Sequence, residues 1–281
     1  MSEFTIINGD CVEELAKLES ESIHYSIFSP PFASLYTYSD SERDMGNVKD
    51  DEEFFEHFGF MVAELFRVLK PGRNVSFHCM NLPLTKERDG VIGIRDFRGA
   101  LIKAFEKEGF VFHSEVCIWK DPVVAMQRTK AIGLLYKQVK KDSCISRQGI
   151  PDYLVTMRKP GVNPEPVGQC PDDFPVSKWQ QYASPVWMDI NPSKTLQRES
   201  AREHDDERHI CPLQLEVIER AVTLWSNKGD VVLSPFAGIG SEGFVSLQLG
   251  RRFVGVELKK SYYKQALQNL QNATAQMELV V

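Results

Sequence analysis

The sequence predicts an α/β fold with a mostly parallel, helix-covered sheet, interrupted once by a long inserted region. Three observations carry this. Short apolar strand-like runs alternate with amphipathic helical runs from the N-terminus to about residue 119. That alternation lapses at Lys120 and resumes around Cys211. A glycine turn then joins an apolar strand to a helix near the C-terminus. Strands alternating with helices are the mark of parallel βαβ units. The expected organisation is a core built from residues 1–119 and 209–281, with 120–208 inserted between them.

The elements follow in order. FTIINGD (4–10) reads as a strand ending in a turn, and CVEELAKLE (11–19) has apolar residues at helical spacing. HYSIFSPPF (24–32) is a short apolar strand stopped by two prolines. Residues 50–72 form a long amphipathic helix whose acidic start suits the helix dipole and which Pro71-Gly72 ends. RNVSFHC (73–79) is the next strand, FRGALIKAFEKEGF (97–110) a helix and VFHSEVCIWK (111–120) a strand. After the insertion come a helix (212–226), the strand DVVLSPF, the helix SEGFVSLQLG, the strand RFVGVEL and a last helix from Ser261.

Composition narrows the function classes. No run of ~18 apolar residues exists, so no membrane span is expected. The start MSEFTIINGD lacks a basic segment followed by an apolar one, and a cytoplasmic location is expected. Six scattered cysteines contain no C-x-x-C pair, which fits reduced thiols. His209 and Cys211 are metal-ligand types, but no second pair stands at zinc spacing, so no metal is expected.

The glycine turn runs Ser234-Pro235-Phe236-Ala237-Gly238-Ile239-Gly240-Ser241. Glycines let a backbone approach a ligand closely. Glu257, at the end of the following strand, lies 19 residues after Gly238, near the spacing of an acid that holds ribose hydroxyls. Gly243 completes a literal G-x-G-x-x-G, so a nicotinamide enzyme is a rival at this point. The second motif is Ser29-Pro30-Pro31-Phe32. Two prolines after a buried strand fix a rigid turn. Such a turn can aim the Ser29 hydroxyl and the Pro30 carbonyl, both acceptors, at one amino group. Phe32 offers a face for an unstacked base.

Together these motifs resemble those of the β-group amino-directed DNA methyltransferases. S-P-P-F is similar to their catalytic [DNS]-P-P-[YFW], and S-P-F-A-G-I-G to their cofactor motif D-P-F-x-G-x-G. HICPLQLEVIERAV looks like their cofactor helix and Asn8-Gly9-Asp10 like their N-terminal turn. The order matches too, catalytic motif first and cofactor motif last. Ser234 departs from the usual aspartate. The flank after S-P-P-F is similar to phage and orphan enzymes.

The resemblance implies a Rossmann-like S-adenosylmethionine-dependent fold. It assigns 1–119 as the catalytic half, 120–208 as the DNA target-recognition region and 209–281 as the cofactor half. It implies transfer of methyl from S-adenosyl-L-methionine to the exocyclic amine of a flipped base in double-stranded DNA, with adenine N6 favoured over cytosine N4. Ser29, Pro30, Pro31 and Phe32 would be catalytic. Asp10, Cys11, His209, Gln214, Ser234, Pro235, Phe236, Ala237, Gly238, Gly240, Ser241 and Glu257 would line the cofactor. A homodimer is a family expectation. No strong general base is evident in S-P-P-F, so the proton is expected to leave late, to solvent.

DNA contact is expected from Lys120–Gly149. There Lys120, Arg128, Lys130, Lys137, Lys140, Lys141 and Arg147 face only Asp121 and Asp142, a local excess of +5 in a chain of net −6. A nicotinamide oxidoreductase explains neither S-P-P-F nor this basic stretch. A non-enzymatic DNA-binding relative predicts a broken motif, and an RNA or small-molecule methyltransferase differs only in acceptor.

Overall fold

The computed structural model describes residues 3–31, 45, 51–124, 133–169, 173–196 and 212–278. Strands β1 (Phe4–Asn8), β2 (Tyr25–Phe28), β3 (Asn74–Met80), β6 (Val111–Ile118), β7 (Asp152–Arg158), β8 (Val186–Trp187), β9 (Val231–Ser234) and β10 (Arg252–Glu257) form one eight-stranded sheet in the order β1-β10-β9-β2-β3-β7-β6-β8. The first five in that order run parallel, and β7 is antiparallel to both β3 and β6. A separate hairpin pairs β4 (Leu82–Leu84) with β5 (Gly93–Arg95).

Helices cover both faces, which is why β2 is buried at all four positions. Alternation divides its side chains between two cores. Phe28 joins Leu15 of α1 (Cys11–Leu15), Phe54, Phe58, Met61 and Leu65 of α2 (Asp51–Val68), and Leu101 and Phe105 of α4 (Phe97–Lys107). The short α3 (Lys86–Asp89) lies between β4 and β5 in the chain. Tyr25 and Ile27 join Val217, Ile218 and Ala221 of α7 (Leu215–Trp225), Val245 and Leu247 of α8 (Ser241–Gln248) and Leu270 of α9 (Lys260–Glu278). Each fully buried side chain of this size contributes about 1.5–3 kcal/mol, so these stripes, rather than helix propensity, hold the layers. The same three-layer plan was expected from sequence. Two further helices, α5 (Tyr136–Val139) and α6 (Val176–Tyr182), belong to the region after Lys120.

β7 comes from the middle of that region, yet it lies inside the main sheet, with seven residues in register against β3. Buried charges close the lower edge, where β3 and β9 begin. Arg73 binds Asp230 and donates to the His24 carbonyl at 2.8 Å, while Lys70 binds Glu165 at 2.9 Å. His24 lies within 3.1 Å of Glu165 and 3.7 Å of Asp230. These three ligand-type residues converge, but Lys70 and Arg73 already match both carboxylates. No helix among the described residues is long and apolar enough to cross a membrane.

Candidate active site

The winding of the sheet reverses between β9 and β2: β9 continues through α8 to β10 on one side, β2 through α2 to β3 on the other. A crevice opens beyond the strand ends at such a point, and ligands of open α/β sheets bind there. Both sequence motifs sit at this crevice. The β2–β9 register pairs Tyr25 with Val232 and Ser26 with Leu233, so the two loops leave the sheet at the same level.

On the β9 side, Gly238 (φ 53) and Gly240 (φ 86) occupy the left-handed region that favours glycine. Gly240 N–H donates to the Ala237 carbonyl at 2.7 Å, closing the turn. Phe236 packs beneath it against Phe28, with ring centroids 5.7 Å apart. Asn269 of α9 donates to the Ile239 carbonyl at 2.8 Å and ties the turn from outside. Glu257 accepts from Gly238 N–H and from Lys259 N–H, both at 2.8 Å, so its carboxylate is fixed against the glycine turn. Ser241 opens α8 and is buried.

Three features fit a nucleoside cofactor. A Cβ built on Gly238 meets no atom within 4 Å, so space lies open over that backbone. Ser234 Oγ and Gln214 Oε1 are buried without a protein hydrogen-bond partner, and such groups call for one. The end of β1 borders the same ground, since Asn8 donates to the carbonyls of Glu257 (2.8 Å) and Leu258 (2.9 Å). Asp10 Oδ1 caps α1, accepting from Val12 N–H at 2.9 Å. Cys11 is buried, and desolvation, helped by the charge of Asp10, pushes its thiol far up; it is an uncharged core group. Gly243 has a different task from Gly238: a Cβ there would lie 2.5 Å from Phe253 Cδ1 and 2.6 Å from Leu270 Cδ2. It serves close packing of helix on sheet.

On the β2 side stands a chain of polar groups that the sequence alone does not foresee. Ser29 Oγ lies 3.3 Å from His78 Nδ1. His78 Nε2 lies 3.1 Å from Asp152 Oδ2, an ion-pair contact not aligned as a hydrogen bond. Asp152 Oδ1 accepts from Lys120 Nζ at 2.5 Å. Asp152 is buried, and burial alone would raise its carboxyl. His78 and Lys120 beside it outweigh burial and hold it below the ordinary range. The sequence did carry a signal: His78 is a polar residue closing an apolar buried strand, and Asp152 opens another.

The remaining expectations divide. Phe32, Arg128, Lys130, His209 and Cys211 lie outside the described residues. Lys137, Lys140 and Lys141 are in the described part of the basic stretch, and Lys137 and Lys140 lie on or beside α5. Lys120 is engaged with Asp152, and Arg147 is buried, its guanidinium donating to the Gln148 carbonyl at 2.9 Å. Burial lowers the Arg147 pKa. Trp187 is buried in the core, whereas Trp179 is exposed.

Comparison with known proteins gives a consistent result. A family model for N6/N4 methyltransferases, described as DNA methylase, matches residues 23–268. The DNA adenine methyltransferase YhdJ of Escherichia coli K12 is 25% identical over 274 residues, covering 96% of this chain and 83% of its own. The type II methyltransferase M.MjaI of Methanocaldococcus jannaschii is 23% identical over 282 residues, covering 91% and 87%. A putative DNA modification methylase of Thermus thermophilus, solved with S-adenosyl-L-methionine, superposes with a TM-score of 0.72 at 24% identity, covering 96% of this chain and 94% of that one. The cytosine-N4-specific PvuII DNA methyltransferase superposes at 0.65 with 16% identity, covering 99% and 93%.

Proposed function

Since the chain belongs to the N6/N4 family of DNA methylases, with S-adenosyl-L-methionine as its methyl donor, we propose that it methylates the N6 amine of adenine in double-stranded DNA. The observation that carries this is the meeting of Ser29-Pro30 and the Gly238–Gly240 turn across one pair of neighbouring strands. Phenylalanine at the fourth position of S-P-P-F and the match to an adenine enzyme along 96% of the chain favour adenine. Serine at the first position, common in the cytosine group, favours the second reading, cytosine N4.

In this reading Gly238, Gly240 and Phe236 line the donor, Glu257 holds its ribose hydroxyls, and Ser234 and Gln214 offer it their buried polar atoms. Bound there, the donor supplies a methyl activated by sulfonium. Ser29 Oγ and the Pro30 carbonyl accept the N–H groups of the target amine and turn its lone pair toward the methyl. Alignment of this kind supplies much of the acceleration. Phe32 stacks on the flipped base. The parts of residues 120–208 that lie outside β7 read the target, and Lys137, Lys140 and Lys141 meet phosphates. The protein acts as a homodimer, without a metal, in the cytoplasm.

The test is incubation with unmethylated genomic DNA and methyl-labelled donor, then digestion and mass spectrometry of the nucleosides. Label in N6-methyladenine is the expected result. Label in N4-methylcytosine selects the second reading, and label in RNA alone overturns DNA as acceptor.

A further inference from the structure

We propose that His78 and Asp152 are positioning residues that act through Ser29: His78 Nδ1 holds the Ser29 hydroxyl proton and receives it as methyl transfer completes, and Asp152 orients the imidazole and stabilises its protonated form. The inference rests on the reading of Ser29 as the group that meets the target amine.

Three elements bring the groups together. Ser29 follows β2, His78 is near the end of β3, and Asp152 opens the antiparallel β7. In the register Leu154 faces His78 and Met80 faces Asp152, so His78 and Asp152 sit on the same face of the sheet, one diagonal step apart. The Ser29–His78 distance of 3.3 Å allows the hydroxyl to donate to Nδ1, and Nε2 lies 3.1 Å from the Asp152 carboxylate, which a small turn of the imidazole would bring into line. The same division of labour operates in serine hydrolases, where aspartate fixes the tautomer and stabilises the imidazolium.

Lys120 strengthens the case. Its bond to Oδ1 gives the buried carboxylate a second positively charged neighbour besides the imidazole. Among the described residues the groups that face the imidazole are few. Ser29 comes from the end of β2, Asp152 from β7 and Lys120 from beyond β6. Cys79, Tyr153 and Cys117 alternate onto the opposite face, where Arg98 of α4 stacks on Tyr153 and pairs with Glu115.

The step balances. The amine nitrogen forms a bond to the methyl carbon as the carbon–sulfur bond breaks, and that electron pair goes to sulfur. The nitrogen becomes positively charged. One of its protons passes to Ser29 Oγ while the Ser29 O–H proton passes to His78 Nδ1. The products are a neutral methylated amine, an unchanged serine and an imidazolium beside Asp152. Water then takes the proton from His78.

Two measurements test this. Nitrogen-15 NMR of His78 in the cofactor-free protein should show Nε2 protonated and Nδ1 bare. Asp152→Asn should lower the imidazole pKa, because a neighbouring carboxylate is removed. The opposite tautomer, or a pKa that Asp152→Asn leaves in place, overturns the proposal. In single-turnover methylation at saturating donor and DNA, followed from about pH 8 down to about pH 5, the wild-type rate should show a fall on the acid side, because the step needs an imidazole without its second proton. His78→Asn can still hold the Ser29 hydroxyl but cannot titrate. It should lose about 100-fold in rate together with that acid limb, at unchanged calorimetric donor affinity. A His78→Asn enzyme of near wild-type rate with the limb intact overturns the inference alone. Should His78→Asn fail to fold, a wild-type rate flat across that range overturns it equally. Wild-type protein that places no methyl in DNA overturns both this inference and the reading of Ser29.

Discussion

Gly238 and Gly243 belong to one motif, and the structure predicts that substituting them fails in opposite ways. At Gly238 a valine meets no protein atom at its Cβ, since nothing lies within 4 Å. Its backbone penalty comes from φ 53, which for an L-residue costs roughly 1–2 kcal/mol. At about 2–4 °C per kcal/mol, Gly238→Val should lower Tm by about 2–8 °C. The valine methyls would then occupy the open space over the turn. If that space holds the donor, calorimetric affinity should fall by at least about 100-fold, about 2.7 kcal/mol. Gly243→Ala is the reverse case. Its Cβ would press to 2.5 Å on Phe253 and 2.6 Å on Leu270, two buried side chains. Overpacking of this kind costs about 1–3 kcal/mol. The molecules that remain folded should bind the donor almost as well as wild type. Thermal unfolding and titration calorimetry on both variants read the two effects separately. Unchanged affinity in Gly238→Val would refute the placement of the donor. A drop in affinity at full stability in Gly243→Ala would refute the division of labour between the glycines.

Other outcomes follow from the same geometry. Ser29→Ala should slow single-turnover methylation while leaving donor affinity near wild type, as read by calorimetry. Replacing Lys137, Lys140 and Lys141 by glutamine should flatten the salt dependence of DNA binding by about 0.9 log units per log salt for each phosphate no longer neutralised, measured by fluorescence anisotropy. Burial, with the charge of Glu257 adding to it, raises the Glu242 carboxyl to about 8 from its ordinary 4.5. The folded state therefore holds a proton that the unfolded state releases between those two values. This contribution to stability is complete below pH 4.5 and is lost as pH rises through 8, so Glu242→Gln should flatten the decline in denaturant midpoint over that window. Arg73→Met strands the buried Asp230 and should cost about 3–5 kcal/mol in chemical unfolding.

Much of this was legible in the sequence, for identifiable reasons. Strands β2, β3 and β9 are short apolar runs because both their faces are covered, and short apolar runs bounded by Pro or Gly are easy to see. The glycine turn was legible because positive φ at Gly238 and Gly240 demands a residue type that sequence displays. His78 and Asp152 were not, because their meeting depends on β7 entering the sheet antiparallel beside β3. Nothing in the residues of β7 itself reports which neighbour that strand takes. The basic stretch misled in part for a similar reason. Charge counting treats Lys120 and Arg147 like Lys137, yet one is engaged with a buried carboxylate and the other is itself buried.

The order of motifs along the chain is then less informative about chemistry than the order of strands. Ser26 and Leu233 are 207 residues apart in sequence, and the Ser26 hydroxyl nevertheless donates to the Leu233 carbonyl at 2.9 Å. Ser29 lies three residues beyond Ser26, and Phe236 three beyond Leu233. Neighbouring strands are spaced about 4.8 Å apart, so this pairing sets the loops of Ser29 and Phe236 at a separation that bonded strands hold constant. A domain whose chain began instead at the β9 unit and reached β2 later would build the same crevice, provided that β9 and β2 remained neighbours. What such a rearrangement could not alter is the third side of the site. β7 must lie beside β3 for Asp152 to reach His78, and β6 must pair with β7, setting Ile118 opposite Asp152, for Lys120 to reach that carboxylate. The region between the two motifs thus does more than separate them, since one of its strands completes the polar chain behind Ser29.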